Sequence, residues 1–119
     1  MSVQRLHVVP SRFAVEYLGE ATFPEDDEWI ALVRAPEGLT VVRDAPPWAE
    51  GETWIGLYGD PAKHGRDTSM PAAVVGPLAE AGVPVFVIST YHADLVLVPE
   101  HRLVEAKDVL AQAGHRIDG

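Results

Sequence analysis

The chain has 119 residues, 47% hydrophobic and 23% charged, which fits one domain or two small units sharing a core and argues against disorder. It contains no cysteine, which excludes disulfides, thiolate metal sites and cysteine nucleophiles. A formal net charge of −9, with nine scattered Lys and Arg residues, repels phosphate backbones and anionic lipid, so neither nucleic acid nor membrane is expected as a partner.

No apolar run approaches the ~20 residues that cross a bilayer, and "MSVQRLHVVPSRF" lacks a signal-peptide core, which gives a cytoplasmic expectation. Along the chain, the alternation of "FAVEYL" (Phe13 to Leu18) predicts a strand. An acidic connector, Gly19 to Glu28, follows it. "WIALVRA" (Trp29 to Ala35) and "LTVVRD" (Leu39 to Asp44) predict two strands joined by a turn at Pro36, Glu37 and Gly38. "APPWAEGE" (Ala45 to Glu52) is a break, and "TWIGLYG" (Thr53 to Gly59) is another strand.

A polar loop, Asp60 to Ser69, leads into "MPAAVVGPLAEAG" (Met70 to Gly82), whose second half reads as a helix stopped by glycine. Pro77 removes one backbone hydrogen bond there, at a cost of ~3 kcal/mol unless something compensates, and predicts a kink. "VFVI" (Val85 to Ile88) and "LVLV" (Leu95 to Val98) predict a hairpin of buried strands around a polar hexapeptide. Leu103, Ala106, Leu110 and Ala113 recur at helical spacing before Gly114, and His115 to Ile117 can add a last short strand.

"IALVRAPEGLTVVRDA" lies over "VFVISTYHADLVLVPE" without a gap, Ile30 on Val85 and Val41 on Val96, which predicts an internal duplication. From Thr53 the order is βαββαβ, an α+β arrangement with both helices on one face of an antiparallel sheet. The other sheet face then needs cover, and the strand-rich first half is the candidate, by packing on the sheet or by extending it.

The residues from Pro77 to His115, with "AG", an aliphatic strand, "IST", a polar loop ending in Asp94 and then "LV", resemble ACT-type regulatory domains. The likeness is to the tandem form of small bacterial ACT proteins and CASTOR-type sensors, and to the regulatory tail of aspartate kinases. It implies a ferredoxin-like ACT βαββαβ domain at residues 53–119, preceded by a degenerate, mostly β ACT-like unit at 1–52. It further implies a non-catalytic regulator or sensor that binds an amino acid or similar metabolite where two units meet, forms a homodimer and acts on a regulated enzyme. The family usually has Thr-Gly where this chain has Thr68-Ser69, and Thr and Tyr around the loop Asp, where Ala93 and Leu95 stand.

A zwitterion needs an anionic and a cationic pole a few Å apart. Thr68 and Ser69, at the expected helix start, are candidates for the carboxylate pole. Asp60 or Asp94 can hold the ammonium, with Ile88, Ser89, Thr90 and Tyr91 as wall and rim. The bland alternatives are capping by Thr68 and Ser69, strand-end bonding by Ser89 and Thr90, subunit packing by Tyr91 and a turn at Asp60. Asp60, His64 and Asp67, or His92 with Asp94, match no closed metal motif, and no nucleophile elbow or phosphate-binding loop appears, so neither metal, cofactor nor catalysis is expected.

Overall fold

A computed structural model describes residues 4–19, 29–49, 51–59, 70–91 and 93–119. Among the described residues seven strands form one sheet: β1 (Arg5–Leu18), β2 (Trp29–Ala35), β3 (Gly38–Asp44), β4 (Trp54–Gly59), β5 (Phe86–Ser89), β6 (Asp94–Pro99) and β7 (Arg116–Asp118). Two helices, α1 (Met70–Glu80) and α2 (Leu103–Gln112), complete the α+β fold, and a 3₁₀ turn at Glu100–Arg102 leads into α2.

Strands run β2-β3-β1-β4-β6-β5 across the sheet, with β7 pairing the remaining edge of β1. The hairpins β2–β3 and β5–β6 therefore occupy equivalent outer places around the central β1–β4 pair. β1 supplies both halves. Its first residues run antiparallel to β4 and parallel to β7 (Leu6 opposite Gly59 and Ile117), while Phe13 to Leu18 pair with β3.

This order corrects the ferredoxin-like expectation. In a simple βαββαβ sheet the first and last strands are neighbours; here β1 stands between β4 and β7. The strand is also longer than its alternating run suggests. Pro10 lies where the β1–β4 register slips between Val8 and Arg12, an irregularity that spares a proline from donating to the ladder.

Both helices cover one sheet face, as the βαββαβ order predicts. Leu6, Leu57, Val96 and Val98 meet Val74 and Leu78 of α1 and Ala106 and Leu110 of α2, all buried. Each helix ends as its glycine predicts. Gly82 (φ +74°) and Gly114 (φ +94°) adopt the left-handed conformation. Val83 and His115 then donate backbone N–H groups to the carbonyls of Leu78 and Leu110, closing Schellman caps.

The helix α1 runs through Pro77, whose missing N–H would leave the Ala73 carbonyl without its partner. Nε2 of His115 supplies one instead, 2.8 Å away, while Nδ1 accepts the Gln4 backbone N–H at 2.9 Å. Because Nδ1 accepts, the ring proton sits on Nε2. One buried histidine thus joins the start of β1, the α1 ladder and the segment before β7.

The other sheet face covers itself. Phe13, Val42, Trp54, Leu95 and Leu97 form a second core there, joined by Ala31 of β2 and Ile88 of β5. Those outer strands are five spacings apart, roughly 24 Å in a flat sheet. They share a core because the sheet curls strongly, so the expected cover arises by extension and curling and not from a separate layer.

Candidate functional site

The polar hexapeptide closes the β5–β6 hairpin. Its Thr90 N–H bonds the Ala93 carbonyl at 2.8 Å, the Thr90 hydroxyl donates to the same carbonyl at 2.7 Å, and the Ala93 N–H donates back to that hydroxyl at 3.1 Å. The Tyr58 hydroxyl, from β4, lies 3.3 Å from Thr90 Oγ1. Thr90 is therefore engaged in closing its own loop.

Alternation along a strand then sorts the neighbours. Ser89 stands opposite Asp94 on the helix-bearing side of the sheet, whereas Ile88, opposite Leu95, points to the second core. Ser89 is exposed, and Tyr91 at the turn is 85% exposed. Asp94, by contrast, is only 1% exposed: a carboxylate sheltered at the start of β6.

The end of the sheet where Asp94 lies is also where β4 finishes at Gly59 and the chain departs toward α1. The first half of α1 comes to this same end, because His115 ties Ala73 to Gln4 and the β1 segment from Leu6 pairs with Gly59. The end of β4, the hairpin turn and the first half of α1 therefore lie at one end of the sheet. Asp60, Thr68 and Ser69 lie outside the described residues, as do His64, Asp67 and His92. Ile88 is not part of the convergence, since it faces away.

A cavity of about 1310 Å³ lies at the opposite end of β4, inside the curl, where sequence reasoning placed nothing. Ile30 of β2 and Phe86 of β5 both line it, with Val15, Trp48 and Trp54. The sequence signal was Trp48 in the "APPW" break. Tyr58 was missed as well, because an aromatic near a strand end is ordinary core material.

Charge is concentrated beside these regions. Arg12 donates from Nε to Glu100 at 2.9 Å, and the Thr53 hydroxyl donates to the same carboxylate at 2.5 Å. The Thr53 hydrogen bond first, then Arg12, holds the Glu100 carboxyl below 4.5. Glu105 is likewise lowered by its hydrogen bond from Arg102, and Asp118 by bonds from Arg5 and Arg116. These pairs fix helix and strand ends. Among the described residues, no three His, Asp or Glu side chains converge as metal ligands, and no helix is long and apolar enough to cross a membrane.

A family model for the ACT domain matches residues 51–112, and the chain belongs to that family. The fold resembles a crystal structure of an Agobacterium tumefaciens protein at a TM-score of 0.82 and 22% identity, covering 98% of this chain and 93% of that one. It also resembles a Vibrio cholerae protein of unknown function, described as a possible transport protein, at a TM-score of 0.68 and 22% identity over 88% of this chain and 85% of that one. No curated protein matches the sequence.

Proposed function

We propose that this chain is a non-catalytic regulator or sensor of tandem ACT architecture, binding an amino acid or similar small metabolite where ACT units meet. The observation that carries the reading is the sheltered Asp94 carboxylate at the sheet end shared by Gly59, the Thr90 turn and the start of α1. In an ACT-family chain, such a carboxylate can hold an ammonium while backbone N–H groups at the helix start receive the carboxylate. The equivalent outer placement of β2–β3 and β5–β6 supports a duplicated unit, residues 1–52 before residues 53–119.

Thr90 keeps a supporting role by closing the loop, and the exposure of Tyr91 supports contact with a second copy in a homodimer. A cytoplasmic regulated enzyme is the partner class this reading implies. Ligand binding would act by favouring one arrangement of units over another.

The test is thermal unfolding against the twenty amino acids, since a ligand at one hundred times its Kd stabilises by about 2.7 kcal/mol. A hit lost in Asp94→Asn supports the site. A flat panel favours the second reading, a ligand-free oligomerisation module, for which the exposed Phe86, Val87 and Tyr91 around the β5–β6 hairpin speak.

A further inference from the structure

The geometry points to a second ligand site: we propose that the cavity inside the curled sheet binds an organic cation, an ammonium carried on an aromatic or aliphatic body. It lies at the Trp54 end of β4, away from Asp94, and does not depend on the amino-acid reading.

Three aromatic rings, Trp48, Trp54 and Phe86, contribute to its walls. Trp54 packs edge-on against Phe86, with ring centroids 4.9 Å apart and planes at 70°. Trp48 sits in a turn closed by the Ala49 N–H on the Pro46 carbonyl at 2.9 Å. Pro47 precedes it at the position where a proline ring presets the turn, and the Ala45 N–H anchors the segment to the Arg12 carbonyl at 2.8 Å. Trp48 nevertheless remains 79% exposed, although it lines the cavity.

The charge around those rings is predominantly negative. Among the described lining residues are the carboxylates of Glu16, Asp44 and Glu52 against the single guanidinium of Arg43. Arg43 Nε lies 2.5 Å from Glu16, so that pair balances internally. Asp44 faces the cavity side, opposite Phe13 of the second core, and Glu52 lies 3.6 Å from the exposed His101 ring; the formal charge of the described lining residues is negative. Electron-rich ring faces and excess carboxylate both attract a cation, and both repel an anion. The volume exceeds what a bare ammonium fills, which is why the ligand must carry a body.

The test follows the indole N–H signals of isotope-labelled protein during titration with three soluble probes that share a phenyl group: phenethylammonium, phenethyl alcohol and phenylacetate. The ammonium should shift the Trp48 signal saturably, the alcohol should bind about tenfold more weakly, and phenylacetate should not bind. Asp44→Asn should weaken the ammonium alone, and Trp48→Ala, an exposed change that leaves the fold intact, should weaken ammonium and alcohol alike. Equal affinity for all three probes would reduce the cavity to an apolar groove and overturn the proposal. So would the absence of saturation, or ammonium binding that Trp48→Ala leaves unmoved.

Discussion

Replacing His115 by leucine should remove two hydrogen bonds at once. The ring is 5% exposed and spans 2.9 Å to the Gln4 N–H and 2.8 Å to the Ala73 carbonyl. A polar group stranded without a partner costs about 1–3 kcal/mol, and Ala73 is only half-buried, so the loss should total about 2–4 kcal/mol. With a urea m-value of about 1.5 kcal/mol/M, the unfolding midpoint falls by about 1.3–2.7 M. The specific test is Pro77→Ala. An alanine restores the N–H that the Ala73 carbonyl lacks within its own helix, so the change should stabilise the His115→Leu protein more than the parent, by about 1–2 kcal/mol. His115→Gln, which carries both a donor and an acceptor, should lose less than leucine. If Pro77→Ala helps both backgrounds equally within about 0.5 kcal/mol, His115 does not stand in for the proline's missing donor.

Acid titration of stability should depend on Thr53. Glu100 is depressed below 4.5 when folded, so the unfolded chain binds its proton more readily; the stabilisation is present above about pH 4.5 and disappears as pH falls through the folded value. Thr53→Val should therefore flatten the acid limb of urea-unfolding curves, and an unchanged limb would remove Thr53 from the linkage. Gly56→Ala should destabilise by about 1–3 kcal/mol in thermal unfolding, because a Cβ there would approach Leu95 Cδ1 to 2.9 Å and Phe13 Cε2 to 3.2 Å; an unchanged midpoint would mean that the second core yields freely. Thr90→Val should cost about 1–2 kcal/mol and raise amide exchange at Ala93, and exchange as slow as in the parent would show the turn closes without the hydroxyl.

Local signals carried far along this sequence. Gly82 and Gly114 stop helices where their chemistry predicts, and continuous apolar runs give β5 and β6 nearly to the residue, although β5, at the sheet edge, is largely exposed where the sequence predicts a buried strand. What failed was non-local. Nothing in "RLHVVPSRF" says that it lies between β4 and β7, since that placement depends on pairings with residues far along the chain. Pro10 disguised the strand, because the register irregularity that tolerates it is set by β4. At the candidate site, Asp94 and Thr90 were legible as residue types. What distinguishes them, the burial of Asp94 and the loop-closing bonds of Thr90, comes only from the fold. The cavity was illegible because it exists only once β2 and β5 curl toward each other.

The parallel seam between β1 and β7 has a consequence for how the molecule is made. Arg116 donates its backbone N–H to the Gln4 carbonyl at 2.9 Å, so every element from β2 to α2 separates two partners that must lie side by side. On the ribosome, the first residues of β1 must wait, one edge bare, until β7 emerges. A nascent chain stalled before residue 116 would therefore show a sticky flank that the finished protein hides.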